Sequence, residues 1–292
     1  MVIETFAESY QENEVKEINL ERVKWQAFLG FEIYGVKIGI RSNNYKLIEN
    51  LEKNLPHLFP VERKSIDFEA AEHKFSFYIS KRNKSKNFAY QADTKIYVSS
   101  FSENDFEILE SKIRLTVAEF AQDVIFLHAG VVEYKGKAII IPGKSFSGKT
   151  TLVAELAKRG LKYYSDEYAV IDGLGFVHPY PKKLSMRGII DDYQQVDIDV
   201  EELGGKKGVK KLEVGIILVS TFKKRSKFKI EVLSIGSGII ESIANSVSIR
   251  QNPEFVLKVL SQITNRARIL KTQRNEAKQF VDRFLQFLDE NL

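Results

Sequence analysis

Cysteine is absent from the 292 residues. That excludes disulfides, thiolate nucleophiles and cysteine–zinc sites, and it suits a reducing, cytoplasmic setting. Long hydrophobic runs are missing too. The longest, such as residues 214–219, fall far short of the roughly 20 residues that cross a bilayer, so no membrane association is expected. The first eight residues are acidic and carry no apolar segment, so no secretory signal is expected. No internal repeat or low-complexity tract is found. Of the four histidines, His57, His73 and His178 show no metal-ligand spacing.

What remains is an ordinary soluble composition, 43% apolar and 28% charged. At this length it suits one large domain or two moderate ones. The net charge of +5 mildly favours anionic partners. Acidic residues are interleaved with the basic ones, so a lysine-rich, solubilising surface explains the charge better. Nucleic-acid binding through the basic runs 206–211 and 223–229 is disfavoured, because no nucleic-acid-binding motif accompanies them.

One stretch stands out. Gly143, Lys144, Ser145, Phe146, Ser147, Gly148, Lys149 and Thr150 fit the pattern G-x-x-x-x-G-K-[ST] at every required position. Residues 137–142 before it read as a buried strand closed by proline. Thr151 and the residues that follow read as a helix with Leu152, Val153, Leu156 and Ala157 on one face, and Gly160 sits at its C-cap. Glycines at 143 and 148 permit a tight turn and a close approach to polyphosphate. Loop N–H groups and the helix N-terminus would face the anion. In that chemistry Lys149 reaches the β- and γ-phosphates, and Thr150 offers its hydroxyl to Mg²⁺. The expected cofactors are therefore ATP and Mg²⁺.

Asp166 and Glu167 form the second informative pair. Read within a strand spanning 161–172, they point to opposite faces and divide the work. One would accept a proton from an attacking hydroxyl, and the other would help hold the metal; the alternative is a solvated strand end. His128, in an apolar strand, is either a satisfied core residue or a donor beside the phosphates. Arg187 either neutralises phosphate charge or makes a surface ion pair.

Along the chain, residues 31–40 read as one strand. A helix capped at Asn43 or Asn44 follows and ends at Pro56. Strands are expected over 68–78 and 88–98, and a long amphipathic helix starts after Ser102. A boundary near 123 separates an N-terminal α+β domain, 1–123, from a domain over 124–292. The second half opens with a strand over 124–133, hairpinned through residues 134–136 to the strand before the loop. Residues 189–211 read as a mobile, glycine-bearing loop that helps grip the acceptor. Strands over 214–219 and 228–233 flank a basic turn, and everything from Pro253 onward reads as helical.

Leu127-His128-Ala129, residues 143–150, Arg159-Gly160, Ser165-Asp166-Glu167 and Met186-Arg187-Gly188 occur in the order seen in HPr kinase/phosphorylase and its relatives. The chain resembles that family over roughly 124–290. The resemblance implies an α/β fold, with a P-loop domain of phosphoenolpyruvate carboxykinase-like type and a mixed sheet. It implies Asp166 as catalytic base, Glu167 as metal-side carboxylate and His128 near the phosphates. The family has two aspartates where this chain has Asp166 and Glu167, and a glutamate where it has Ser185. The departure at Ser185 leaves the substrate and the phosphorylase half-reaction of that family open for this chain. The expectation is an ATP- and Mg²⁺-dependent kinase acting on a hydroxyl of a protein, peptide or small molecule. Its rival is a nucleotide-sensing module without transfer. A homo-oligomer is an open expectation.

Overall fold

The computed structural model describes residues 18–80, 87–99, 103–144, 147–187 and 195–291. The chain is a mixed α/β protein built on two main sheets. The first contains β1 (Ala27–Ile33), β2 (Val36–Ser42), β3 (Lys64–Ser65), β4 (His73–Tyr78), β5 (Asn87–Gln91) and β6 (Thr94–Ser99), in the order β3-β1-β2-β4-β5-β6. Helices α1 (Tyr45–Leu58) and α2 (Glu103–Phe120) accompany it.

The second half begins with β7 (Val124–Tyr134) and β8 (Lys137–Pro142), followed by α3 (Lys149–Lys158). β9 (Lys162–Ser165), β10 (Tyr168–Asp172), β11 (Phe176–His178), β12 (Leu184–Arg187), β13 (Gln195–Ile198) and β14 (Lys206–Lys207) come next. β15 (Leu212–Phe222), β16 (Ile230–Val232), α4 (Ile235–Ile243), α5 (Pro253–Arg266), β17 (Arg268–Arg274) and α6 (Ala277–Asn291) complete the chain. The large sheet mixes directions: β8 and β17 run parallel to β15, whereas β7 runs antiparallel to β8, β9 and β10.

The expected hairpin before the loop is present. Tyr134 pairs with Lys137, and the two residues between them, Lys135 and Gly136, have φ of 48° and 79°. Such a turn twists with the strands it joins. The same device at Tyr34 and Gly35 (φ 51° and 76°) splits the single strand expected over 31–40 into β1 and β2. Residues 88–98 likewise divide into β5 and β6 at Ala92 (φ 50°). Pro56 does not end α1, which continues to Leu58 and is closed by the Phe59 amide on the Leu55 carbonyl.

Packing explains other departures. The stretch 195–211 is ordered, not a mobile loop. Two of its glycines, Gly205 and Gly208, serve close approach: the Gly208 amide donates to the Tyr163 carbonyl at 2.8 Å, and a Cβ there would come within 1.9 Å of the Tyr164 ring. Residues 188–194 of the same expected loop lie outside the described residues. β15 and β16 do not pair with each other. β17, within the stretch expected to be helical, lies between them, parallel to one and antiparallel to the other.

One apolar core joins the two halves. Leu51, Leu55, Phe75, Ile113 and Val117 pack in the same cluster as Phe126, Tyr168 and Tyr180. Burying each such side chain contributes about 1.5–3 kcal/mol. The Tyr180 hydroxyl donates to the Leu58 carbonyl at 2.8 Å, and the Tyr34 ring meets Phe126 edge-on at 5.3 Å. The core thus runs across residue 123 and seats α2 against the second sheet. A second cluster packs α3 on α6 through Leu152, Leu156, Phe280 and Phe284, over β8.

Candidate functional site

The site is assembled where β7, β8 and α3 meet. Gly143 leaves β8 with its amide donating to the His128 carbonyl at 3.2 Å. Gly148 has φ 78° and caps α3, whose first residue is Lys149, two residues earlier than the periodicity predicts. At Gly148 a left-handed backbone turns the loop into the helix, as glycine permits. At Gly143 an added Cβ would lie 2.8 Å from Ser147 Oγ, so the loop closes over that position. Ser145 and Phe146 lie outside the described residues.

Lys149 is buried, and its Nζ donates to the Lys144 carbonyl at 2.8 Å. Burial pushes its pKa down to about 8, against the pull of Asp166 and Glu167. Lys144 and Thr151 are exposed, while Ser147 and Thr150 are half-buried. Ser147 Oγ has no hydrogen-bond partner among the described residues.

Asp166 and Glu167 occupy a break between β9 and β10, not the middle of one strand. Ser165 Oγ makes the break: it accepts the amides of Glu167 (3.2 Å) and Tyr168 (3.0 Å), satisfying donors that a continuous ladder would use. The Ala129 amide then donates to the Glu167 carbonyl at 3.1 Å, which pins the pair to β7.

The two carboxylates have different partners, although the strand whose alternation would separate them is broken here. Asp166 is buried and accepts a hydrogen bond from the Tyr163 hydroxyl at 3.0 Å. Tyr163 also reaches the Lys182 carbonyl at 2.7 Å. Burial, reinforced by the adjacent Glu167 charge, raises Asp166 to about 6; the Thr150 and Tyr163 hydroxyls oppose this. Glu167 lies 3.4 Å from Arg114 Nε and 3.2 Å from Lys182 Nζ. Burial would raise its pKa, but Arg114 and Lys182 together hold it below the ordinary glutamate value.

His128 is half-buried on β7, with its ring 5.9 Å from that of Tyr168. Burial, then the Lys149 charge, push its pKa down to about 4. It is therefore a neutral imidazole near pH 7. Arg187 ends β12 opposite Gln195.

Three cations at the site were not singled out in the sequence. Arg114 and Lys182 carry no motif. Arg274 sits at the end of β17, 4% exposed. Its Nη2 donates to the Gly148 carbonyl at 2.8 Å and to that of Ser147 at 3.3 Å. No spacing rule links position 274 to position 148; only the sheet order does.

Among the described residues no group of three or more His, Asp or Glu is placed to hold a metal ion. Magnesium at nucleotide sites needs no such group, being held by one or two protein oxygens together with phosphates and water. The loop fits a polyphosphate on its own features: the left-handed Gly148, the buried Lys149 ammonium and the unpartnered Ser147 hydroxyl. Among the described residues no helix is long and apolar enough to cross a membrane.

No protein-family model matches this chain, and no curated protein does. Among solved structures it is similar to the HPr(Ser) kinase/phosphatase from Coxiella burnetii. The identity is 13%, over 56% of this chain and 96% of that one, with a TM-score of 0.30. Similarity of that degree decides nothing about activity.

Proposed function

We propose that this protein binds ATP with Mg²⁺ on the 143–150 loop and transfers the γ-phosphoryl group to a hydroxyl acceptor. The acceptor would be a serine of a protein or peptide, or a small molecule. The observation that carries this reading is the burial of the Lys149 ammonium, at the start of α3, together with the Asp166 carboxylate. Asp166 acts on the Lys149 charge, and its raised proton affinity suits a base beside the loop.

ATP and Mg²⁺, when bound, supply the activated phosphoryl group and offset its charge. The chain's own residues do the rest. Loop amides and the α3 N-terminus face the phosphates, and Lys149 adds a buried positive charge there. Thr150 and Glu167 stand on the metal side. Asp166, raised to about 6, takes the proton of the acceptor hydroxyl at its carboxylate; a base of that affinity works close to neutrality. His128, held neutral, can donate a hydrogen bond without adding charge. Arg187, at the end of β12, would neutralise phosphate charge.

The test uses ATP and Mg²⁺ with water as the minimal acceptor, followed by serine peptides. Phosphate release and transfer are measured for wild type, Lys149→Ala and Asp166→Asn. Lys149→Ala is expected to lose both binding and turnover. Asp166→Asn is expected to keep binding and lose turnover by at least about 100-fold, the scale of general-base catalysis. Equal rates in all three proteins would refute the proposal. ATP binding by wild type without any transfer would favour the nucleotide-sensing reading.

A further inference from the structure

We propose that Arg114, on helix α2, is a positioning residue of the transfer site: its guanidinium fixes the Glu167 carboxylate, so the first half of the chain completes the site. This rests on the reading of Glu167 as the metal-side carboxylate.

The placement of Arg114 is unusual for a helix of this kind. Of its neighbours at helical spacing, Val117 and Ala118 are fully buried and Glu110 lies one turn back. An aliphatic side chain would continue that stripe. Arg114 stands there instead, 8% exposed, with its Nε 3.4 Å from Glu167 Oε1. A guanidinium is costly to bury without a counter-charge. Glu167 supplies the larger one from a distant part of the chain, and Glu110, one turn back on α2, adds to it.

The backbone of Glu167 is already held, its amide by Ser165 Oγ and its carbonyl by the Ala129 amide. What remains to be set is where the carboxylate points. Arg114 approaches one oxygen and Lys182 the other, from different parts of the chain. Among the described residues Glu167 Oε2 and Arg114 Nε are buried and make no well-formed hydrogen bond. The two cations therefore orient the carboxylate without saturating it. Residues behind a metal ligand act in this way, and their loss costs affinity for the metal more than it costs the fold.

The experiment compares wild type, Arg114→Met, Arg114→Lys, Glu167→Gln and the Arg114→Met/Glu167→Gln double variant of the full chain. Two quantities are read: the melting temperature without nucleotide, and the Mg²⁺ concentration that gives half-maximal binding of a fluorescent ATP analogue. Glu167→Gln should raise the Mg²⁺ midpoint. Arg114→Met should raise it roughly tenfold, Arg114→Lys by less, and the double variant no further than Glu167→Gln alone. The melting losses should be non-additive as well, because the two residues share one contact. A normal Mg²⁺ midpoint in Arg114→Met while Glu167→Gln shifts it would overturn the inference, and so would additive effects on either quantity. A Glu167→Gln protein that binds ATP with an unchanged midpoint would remove the metal role of Glu167, and the positioning role with it. Loss of ATP binding by wild type would instead refute the functional reading itself.

Discussion

The Arg274 guanidinium donates to the Gly148 carbonyl at 2.8 Å, joining the last strand of the large sheet to the loop that opens α3. The same nitrogen reaches the Ser147 carbonyl, so one amino group spans two successive peptides. Gly148 leaves room for it: a Cβ there would lie 2.4 Å from Arg274 Nη2. Arg274→Met should therefore loosen the loop and weaken ATP binding roughly tenfold, the scale of a lost charge-assisted hydrogen bond. Arg274→Lys should restore it only in part, because a lysine has no second nitrogen to hold the Asn275 carbonyl while the first reaches the loop. Calorimetric titration with ATP and Mg²⁺ decides this.

Gly208 lies under the Tyr164 ring, and its amide is bonded to the Tyr163 carbonyl. Gly208→Ala is expected to cost about 1–3 kcal/mol through overpacking, read from urea midpoints. Hydrogen exchange at the Gly205 and Gly208 amides should be slow, because both donate to backbone carbonyls. Fast exchange at both would restore the view of this stretch as a mobile loop.

Leu156 is fully buried where α3 meets α6. Leu156→Ala should lower stability by about 2–5 kcal/mol, the usual cost of such a cavity. A loss below about 1 kcal/mol would mean that α6 does not pack on α3 as described.

Asp172 gives a pH-dependent test away from the candidate site. Burial would raise its pKa, but the bond from His178 and the amides of Phe176 and Leu174 outweigh burial and lower it. A depressed carboxylate stabilises the fold fully above its unfolded pKa of about 3.9. That contribution disappears as pH falls through the lower folded value. Wild type should thus be more stable than Asp172→Asn at pH 5 to 7, with the gap closing below about pH 4. A gap that is constant across this range in denaturation curves would count against the pairing.

Local rules made the centre of the molecule legible. The loop pattern with a β-branched run before it and an amphipathic run after it located β8, the turn and α3, because each obeys a short-range constraint on glycine, periodicity or capping. The hairpin at Lys135 and Gly136 followed from the same kind of rule. Tertiary structure decided the rest. The strand expected through Asp166 and Glu167 breaks there, because Ser165 Oγ takes the amides of Glu167 and Tyr168. β17 reads as a continuation of helix until β15 and β16 take its two edges. Arg114, Lys182 and Arg274 become site residues through contacts across 53, 15 and 126 positions of chain. A buried charge is chosen by what stands opposite it in space, and no period along the sequence encodes that.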